Sequence, residues 1–250
     1  MDKIEVLNDK GNQYHIDCKK GDVGKYVLLP GDPFRTDMLA KKLDNASVVA
    51  HNREHKTWTG YLDGEKVSIT STGMGGPSAA IAIEELIHCG AETFIRIGTA
   101  GRMTDSVSNK EWVGLIATAA IRDEGTTRQY IPIEYPAVAN REVVNALVKA
   151  AKDNNFAFGE GIVHCKDSFY AQHDPDSLPN ATFLKTRWEA WEKGNTKASE
   201  METAALFVLS TIRNVRSGAI LAFGSMNEET VQTAFDAIRI LIKEEKIRSK

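Results

Sequence analysis

Two arginines, a threonine and several glycines stand where short apolar runs of the sequence end. Arg96 lies inside the apolar run of "TFIRIGTAG" (93–101), and Arg35 closes "GDPFR" (31–35). A guanidinium in an apolar run either pairs with a buried carboxylate or binds an oxyanion, because its planar fork of donors matches both. Glycine lets backbone N–H groups approach a ligand closely, and Thr99 adds a hydroxyl. Together these residues predict a cradle for a phosphate-sized anion.

Two glutamates, Glu200 and Glu202, flank Met201 in "SEMET" (199–203). Acidic residues suit the first turn of a helix, where the helix dipole is positive. The functional alternative is a carboxylate at a strand-to-helix junction that accepts hydrogen bonds from sugar hydroxyls. The pattern alone leaves both interpretations open.

A third candidate is "CKDSFYAQH" (165–173), in which an aromatic pair precedes Gln172 and His173. Such a segment can form a stacking wall beside an amide that both donates and accepts hydrogen bonds. The alternative is a loop that two buried rings, those of Phe169 and Tyr170, anchor to the core.

Alternating strands and helices must position these candidates. Apolar runs rich in β-branched residues predict strands, and segments with apolar residues at threes and fours predict helices. The strands are expected at 25–30, 66–72, 93–98, 112–120, 161–165 and 218–223, and the helices at 32–43, 77–90, 140–154, 200–213 and 229–245. This order predicts an α/β fold with a mostly parallel sheet covered on both sides. Ligands bind such sheets beyond the carboxyl ends of the strands, where glycine turns are expected at 31–35, 71–78 and 98–101.

The composition excludes several classes of function. The chain has 250 residues, 42% of them hydrophobic, and a formal charge of −3 from 31 basic and 34 acidic residues. This balance argues against a broad nucleic-acid or membrane footprint, so any anion site must be local. The sequence has no P-loop, and "GMGGPS" (73–78) fails the dinucleotide-binding pattern. Three scattered cysteines, a polar N-terminal stretch and the lack of a long apolar run predict a cytoplasmic protein with no membrane partner.

Taken together, these segments resemble the uridine phosphorylases of the nucleoside phosphorylase superfamily. The resemblance extends in family order to about residue 223. It rests on "LLPGDPFR", "HNREHKTWTGYLDGEKVSITSTGMGGPSAAIAIEEL", "FIRIGTAG", "IPIEYPAVA", "CKDSFY" and "WEKGNTKASEMETAALF". It implies a single domain over residues 1–250, with three α/β/α layers around a central mixed, mostly parallel sheet. It also implies the cleavage of uridine by inorganic phosphate to give uracil and ribose 1-phosphate, with no cofactor beyond the phosphate co-substrate.

The resemblance also assigns residues to roles. It implies that Arg35, Arg96 and Glu202 are catalytic. Phosphate would be held by Gly31, Arg35, Arg53, Arg96 and Thr99. The nucleoside would be held by His15, Phe169, Gln172, Glu200, Met201 and Glu202.

An assembly is implied as well. His15 and Arg53 would reach a neighbouring subunit's site, so a homodimer is expected as the minimum active unit, with a hexamer of three dimers as a larger form. Glu54 and Ser78 match positions that bind a potassium ion at a dimer interface in some relatives.

The sequence departs from the family pattern in two places. The base-binding loop usually carries an arginine shortly after its glutamine, whereas here His173 follows Gln172 and no arginine occurs before Arg187. After "GAILAF" (218–223), roughly a dozen residues that border the base are missing before the last helix, which predicts a shortened lid. A purine nucleoside phosphorylase, a nucleoside hydrolase and a catalytically weak nucleoside-binding protein remain as alternatives.

Overall fold

A computed structural model describes residues 6–103 and 111–248. Within them, the strands are β1 (Tyr26–Leu29), β2 (Asp44–Asn52), β3 (His55–Leu62), β4 (Glu65–Thr70), β5 (Thr93–Arg102), β6 (Gly114–Asp123), β7 (Ala137–Val138), β8 (Phe158–Lys166), β9 (Ala198–Glu200) and β10 (Arg216–Phe223). The helices are α1 (Pro33–Ala40), α2 (Gly76–His88), α3 (Arg141–Asp153), α4 (Phe169–His173), α5 (Ala181–Lys193), α6 (Thr203–Ile212) and α7 (Glu228–Arg248). Every strand and helix predicted from the sequence is found, with small shifts at its ends.

The strands form one mixed sheet in which β4, β1, β5 and β10 run parallel side by side. β2 and β3 extend one edge as an antiparallel hairpin. Beyond β10 come β6, β8 and β9, and β9 returns to pair with the end of β5. The carboxyl ends of β1, β4 and β5 therefore point the same way, and β8 and β9 run in the opposite direction to them.

Helices cover both faces of this sheet. Alternate strand residues point to opposite faces, so Val27 and Leu29 join the core beneath α2 and α6, whereas Leu28 joins the core beneath α1, α3 and α7. Both faces are buried, which explains why these strands read as nearly continuous apolar runs. The predicted α/β class and three-layer architecture are confirmed.

One predicted turn is wrong. Residues 98–101 do not leave the sheet, because Gly101 and Arg102 pair with Ser199 and Ala198 of β9 and keep β5 extended. Gly98 instead leaves room for the Arg96 side chain to lie close to the backbone of β5. A Cβ atom there would lie 2.9 Å from Nη2 of Arg96, so a larger residue would displace this guanidinium from its position along the strand.

The described residues contain no helix long and apolar enough to cross a membrane. Residues 1–5 of the polar N-terminal stretch lie outside the described part of the chain.

Candidate active site

An open cavity of about 1200 Å³ lies at the carboxyl ends of β1, β4, β5, β8 and β9. It is lined by most of the residues singled out in the sequence: Gly31, Arg35, Glu54, Ser78, Arg96, Thr99, Phe169, Gln172, His173, Glu200, Met201 and Glu202. The parallel strands β1, β4 and β5 bring their carboxyl ends to this cavity, and β9, which pairs antiparallel with the end of β5, brings Glu200 to it from the other direction.

The loop after β1 positions Gly31 and Arg35. The Asp32 carboxylate accepts a hydrogen bond from Phe34 N at 2.9 Å and caps α1, and Pro33 occupies its first turn. Arg35 therefore stands on the first turn of α1, half-buried, at the cavity wall. It makes no ion pair within residues 6–103 and 111–248.

The loop after β4 is tied to the loop after β1. Thr72 N donates to Pro30 O at 2.9 Å, and Gly73 N donates to Gly31 O at 3.0 Å. Gly73 has a φ of 69°, and a Cβ atom there would lie 2.6 Å from Ser78 Oγ. Glycine is thus required at this position both by backbone conformation and by space.

Arg96 is buried, 6% exposed, and is held by two glutamates. Its Nε donates to Glu200 Oε2 at 2.9 Å, and its Nη2 pairs with Glu202. Burial would lower the pKa of Arg96, but the charges of Glu202 and Glu200 outweigh it and raise the pKa. Nη1 is also buried and has no hydrogen-bond partner among the described residues. Both sequence interpretations of Arg96 therefore have support: it is paired with carboxylates, and it retains one unused donor.

Glu200 and Glu202 differ in what their carboxylates do. Glu200 accepts from Glu202 N at 2.9 Å and from Thr203 N at 3.0 Å, so it caps α6 as well as orienting Arg96. Burial raises the pKa of Glu200, but Arg96 and these backbone donors lower it below the ordinary value. The Glu200 carboxylate oxygens thus already have hydrogen-bond partners within the protein. A direct contact between Glu200 and a nucleoside stays a prediction.

Glu202 lies one residue before α6 and accepts from Gly75 N at 2.5 Å. Burial raises the pKa of Glu202, and the Glu200 charge adds to the rise, while Arg96 opposes it. Glu202 thus stands at the strand-to-helix junction that the sequence suggested, in a cavity wall that also includes Met201 and Thr99.

Another part of the cavity wall is formed by α4, next to Ser199 of β9. The Phe169 ring stacks on His173 at 4.2 Å between centroids, and Gln172 Oε1 accepts from Ser199 Oγ at 3.0 Å. Phe169 and Tyr170 are 51% and 74% exposed, so the alternative of two buried anchoring rings is wrong. The short helix begins instead with a Ser168 cap, whose Oγ accepts from Ala171 N at 3.2 Å.

Lys166 is a functional candidate that the sequence analysis missed. It is 7% exposed, lines the cavity beside Gln172, and donates from Nζ to Ser199 Oγ at 2.8 Å. Burial lowers the pKa of Lys166, and the charge of Glu200 partly offsets this. The available signal was its place at the end of a buried strand, where a lysine is rarely needed for packing. Arg187, by contrast, pairs with Asp123 and lines a smaller neighbouring cavity of about 410 Å³.

Two predicted site residues lie outside the cavity of their own chain. His15 is bound to the outer side of α2, where its Nδ1 lies 2.6 Å from Glu85 Oε1. Arg53 occupies the exposed turn between β2 and β3 with a φ of 54°. Neighbouring Glu54 reaches the cavity, and Ser78 Oγ donates to its Oε1 at 2.8 Å.

The predicted short lid is present. Residues 224–227 alone connect β10 to α7, and Asn227 donates from Nδ2 to Val113 O at 3.1 Å and accepts from Thr230 N at 2.9 Å. Phe223 borders the cavity there, and the Arg102 guanidinium lies 4.0 Å from the centre of its ring.

Comparison with known proteins gives consistent results. The family model of the phosphorylase superfamily matches residues 25–241. The chain is 45% identical to a uridine phosphorylase of Treponema pallidum, over 94% of this chain and 96% of the relative. It is 41% identical to a uridine phosphorylase of Thermococcus kodakarensis, over 96% and 91%. It is 38% identical to a guanosine phosphorylase of Halorubrum lacusprofundi, over 83% and 81%.

Proposed function

This chain belongs to the phosphorylase superfamily, and from that premise we propose that it cleaves uridine with inorganic phosphate to give uracil and ribose 1-phosphate. It is a pentosyltransferase of nucleoside metabolism. The observation that carries the proposal is the single cavity that gathers Arg35, Arg96 and Thr99 near Glu202, with Gln172 and Phe169 in another part of its wall.

The phosphate end would act by positioning and charge. Arg35 has no ion pair among the described residues, and the buried Nη1 of Arg96 lacks a partner, so a bound phosphate would satisfy both. Gly31 and Thr99 add a backbone position and a hydroxyl to the same wall. Phosphate held beneath C1′ would stabilise the positive charge that develops on the sugar as the glycosidic bond breaks, and then form the new C1′–O bond.

The ribose and base would occupy the rest of the cavity. Glu202, paired with Arg96, would accept hydrogen bonds from the ribose hydroxyls beside Met201. Phe169 would pack against the nucleoside, and Gln172 would hydrogen-bond the pyrimidine edge. The electron pair of the broken bond leaves on the base, and the buried Lys166 ammonium beside Gln172 would stabilise that negative charge.

Residues from a second subunit would complete the site. His15 and Arg53 lie outside their own cavity, which supports their donation to a neighbouring chain and a homodimer as the minimum active unit, with a hexamer as a larger assembly. The Glu54–Ser78 pair would hold a potassium ion at that interface. We further propose that residues 1–250 form one domain and that the protein acts in the cytoplasm.

Purine nucleosides are disfavoured by the connection after β10. A purine-specific site would place an aspartate there, and residues 224–227 read Gly-Ser-Met-Asn, with Asn227 already bonded to Val113. One relative is named a guanosine phosphorylase, so guanosine belongs in any test.

A substrate panel tests the proposal. The purified protein is incubated with uridine, deoxyuridine, thymidine or guanosine, with and without phosphate, and the free base and sugar phosphate are measured. Uracil release that requires phosphate supports the proposal. Uracil release without phosphate indicates a hydrolase, guanine release indicates purine phosphorolysis, and binding without turnover indicates a nucleoside-binding protein; each of these three results would overturn it.

A further inference from the structure

A buried histidine outside the proposed catalytic set connects the smaller cavity to Gln172. His164 on β8 is 2% exposed, with its Nε2 3.1 Å from Asp123 Oδ2 and its Nδ1 3.0 Å from Ser199 Oγ. Its ring lies against the Trp191 indole, with 4.1 Å between centroids and 30° between planes. The imidazole is therefore fixed in orientation, with each ring nitrogen facing one defined partner.

Ser199 has three polar neighbours but only one proton and two lone pairs. Lys166 Nζ, 2.8 Å away, is a donor only and takes one lone pair. His164 Nδ1 and the Gln172 side-chain amide, both 3.0 Å away, share the remaining lone pair and the single proton. One of these two groups must accept from Ser199 while the other donates to it.

This sharing links the protonation of His164 to the direction of the Gln172 amide. The Asp123 carboxylate keeps a proton on Nε2 of His164 in either state. In the structure, Gln172 Oε1 faces Ser199. In neutral His164, Nδ1 accepts from Ser199, so the Gln172 amide must turn from that orientation and present its NH₂ group to Ser199 and its carbonyl oxygen to the cavity. In protonated His164, Nδ1 donates to Ser199, which donates in turn to Gln172 Oε1, and the NH₂ group faces the cavity.

We propose that His164 is a positioning residue for base recognition: through Ser199, it sets whether Gln172 presents a carbonyl oxygen or an amide nitrogen to the nucleobase. The inference rests on the proposed function. A carbonyl oxygen matches the imide N–H of uracil, whereas an NH₂ group opposes that N–H and matches the bare ring nitrogen of cytosine. Neutral His164 thus selects uridine, and protonated His164 weakens this selection.

The charged groups around His164 fix the direction of the pH effect. Burial lowers the pKa of His164 from the ordinary 6.5, and Lys166 acts in the same sense. Asp123, which Arg187 holds from α5, and Glu200 on β9 oppose the decrease without reversing it. His164 is consequently neutral at pH 7 and above, and the uridine-selecting state is lost only as the pH falls through this lowered value.

The test compares wild-type protein with His164→Phe, using uridine and cytidine at saturating phosphate from about pH 5 to 8. Phenylalanine keeps the ring packing but cannot accept from Ser199, so the NH₂ group of Gln172 should face the cavity at every pH. We expect the uridine KM of the variant at pH 7.5 to rise on the order of tenfold. The ratio of kcat/KM for uridine to kcat/KM for cytidine should fall, and the uridine KM should change less between neutral and acid pH than it does in the wild type. His88→Phe, on α2 and away from the cavity, should keep the wild-type profile.

An unchanged uridine KM and acid limb in His164→Phe would overturn the inference. Nitrogen-15 NMR of labelled wild-type protein is an independent measurement that does not require the variant to fold. A bare Nδ1 at pH 7.5 supports the inference, and a doubly protonated ring at that pH, with normal uridine binding, overturns it. If the wild-type protein releases no uracil, the proposed function itself fails, which separates the two outcomes.

Discussion

Arg96 and Glu202 form a buried ion pair in the wall of the main cavity, yet Nη1 of the same guanidinium has no hydrogen-bond partner among residues 6–103 and 111–248. Buried donors without partners are rare in folded proteins and call for an explanation. Glu200 accepts a hydrogen bond from Nε of Arg96. The two carboxylates therefore orient the guanidinium and leave its Nη1 group without a partner in the described part of the chain. An oxyanion in the cavity would supply the missing acceptor.

Arg35→Ala should weaken phosphate binding without unfolding the protein. Arg35 makes no ion pair with any described residue, so its removal leaves no buried charge unpaired. A charge-assisted hydrogen bond contributes about 1.5–3 kcal/mol, so the phosphate concentration for half-saturation should rise about 10- to 150-fold. The free energy of unfolding should change by less than about 0.5 kcal/mol. Phosphate titration and urea unfolding measure the two effects, and an unchanged titration would remove Arg35 from the site.

Arg96→Ala should damage both catalysis and stability. The loss of its contact to phosphate should reduce kcat/KM by roughly 30- to 1000-fold. Two buried glutamates lose their counter-charge at the same time, which should cost about 3–5 kcal/mol of unfolding free energy.

Two further variants complete the Arg96 test. Arg96→Lys keeps the charge but loses the fork, so it should recover more stability than activity. Arg213→Ala breaks a partly exposed pair with Glu84 and should cost less than about 1 kcal/mol. If Arg96→Ala retained normal phosphate dependence, the buried ion pairs alone would account for this residue.

The elements that the sequence analysis predicted are those with strong local signals. The parallel strands around β1 and β5 are buried on both faces, and α3 has both an Asn140 cap and a regular apolar stripe. The β2–β3 hairpin was missed because β2 is mostly exposed and carries register shifts, so no clean alternation is visible. Helix α5 was missed because none of its side chains is buried.

The site was predictable only in part, for a related reason. Motifs led to Arg35, at the start of α1, and to Glu202, just before α6, whereas Arg96 lies inside β5 and was found because a charge is rare in an apolar run. Lys166 lies within "CKDSFY", but the pattern gave it no role, and His164 just precedes that segment. Their significance comes from Ser199, which lies across the sheet on β9, and such a non-local partner cannot be read from the spacing of residues.

Lys166→Met should slow the departure of the base. The buried ammonium lies at the base end of the cavity, so its loss should lower kcat by about 100- to 1000-fold with uridine. The loss should be smaller with 5-fluorouridine, because its base carries negative charge more readily and depends less on the cation. Lys185→Met, an exposed lysine of the smaller cavity, is the matched control and should behave as wild type. Equal losses for both substrates would mean that Lys166 only supports the structure.

Mixing two impaired variants should restore activity at a phosphate concentration that is limiting for both, if subunits share residues. Arg53→Ala would disable the residue given to a neighbour, and Arg35→Ala would disable the residue used in its own cavity. A mixed dimer then contains one intact site and one doubly defective site. Co-refolded protein should therefore be more active than either variant alone, and co-refolded Arg35→Ala with Arg96→Ala, which share one cavity, should not. No recovery in the first mixture, despite mixed dimers in native mass spectrometry, would contradict donation across the interface.

Glu245→Gln should reduce stability at neutral pH and reduce its sensitivity to acid. Glu245 on α7 pairs with Lys25 at 2.9 Å and with Arg216 of β10, so it joins the last helix to the sheet. Burial raises the pKa of Glu245, but hydrogen bonds from Lys25 and Tyr26 and the Arg216 charge lower it below the ordinary 4.5. A carboxylate with a lowered pKa contributes stability above its unfolded pKa and loses that contribution as the pH falls through its folded pKa.

Urea unfolding at a fixed protein concentration measures this effect at pH 7 and at roughly pH 3.5. The variant should be less stable by about 1–3 kcal/mol at pH 7, because, among the described residues, it removes one of the two carboxylates that pair with the partly buried Arg216 and leaves only Glu142. The difference from wild type should shrink as the pH falls below 4.5 toward the lowered folded pKa of Glu245, because the stability that the wild-type carboxylate contributes is lost over that range. Glu244→Gln, the exposed neighbour that pairs with Arg248 at 3.6 Å, should change the unfolding free energy by less than about 0.5 kcal/mol at either pH. A difference for Glu245→Gln that stayed constant between the two pH values would show that the hydrogen bonds of this side chain, and not its charge, hold α7 against the sheet.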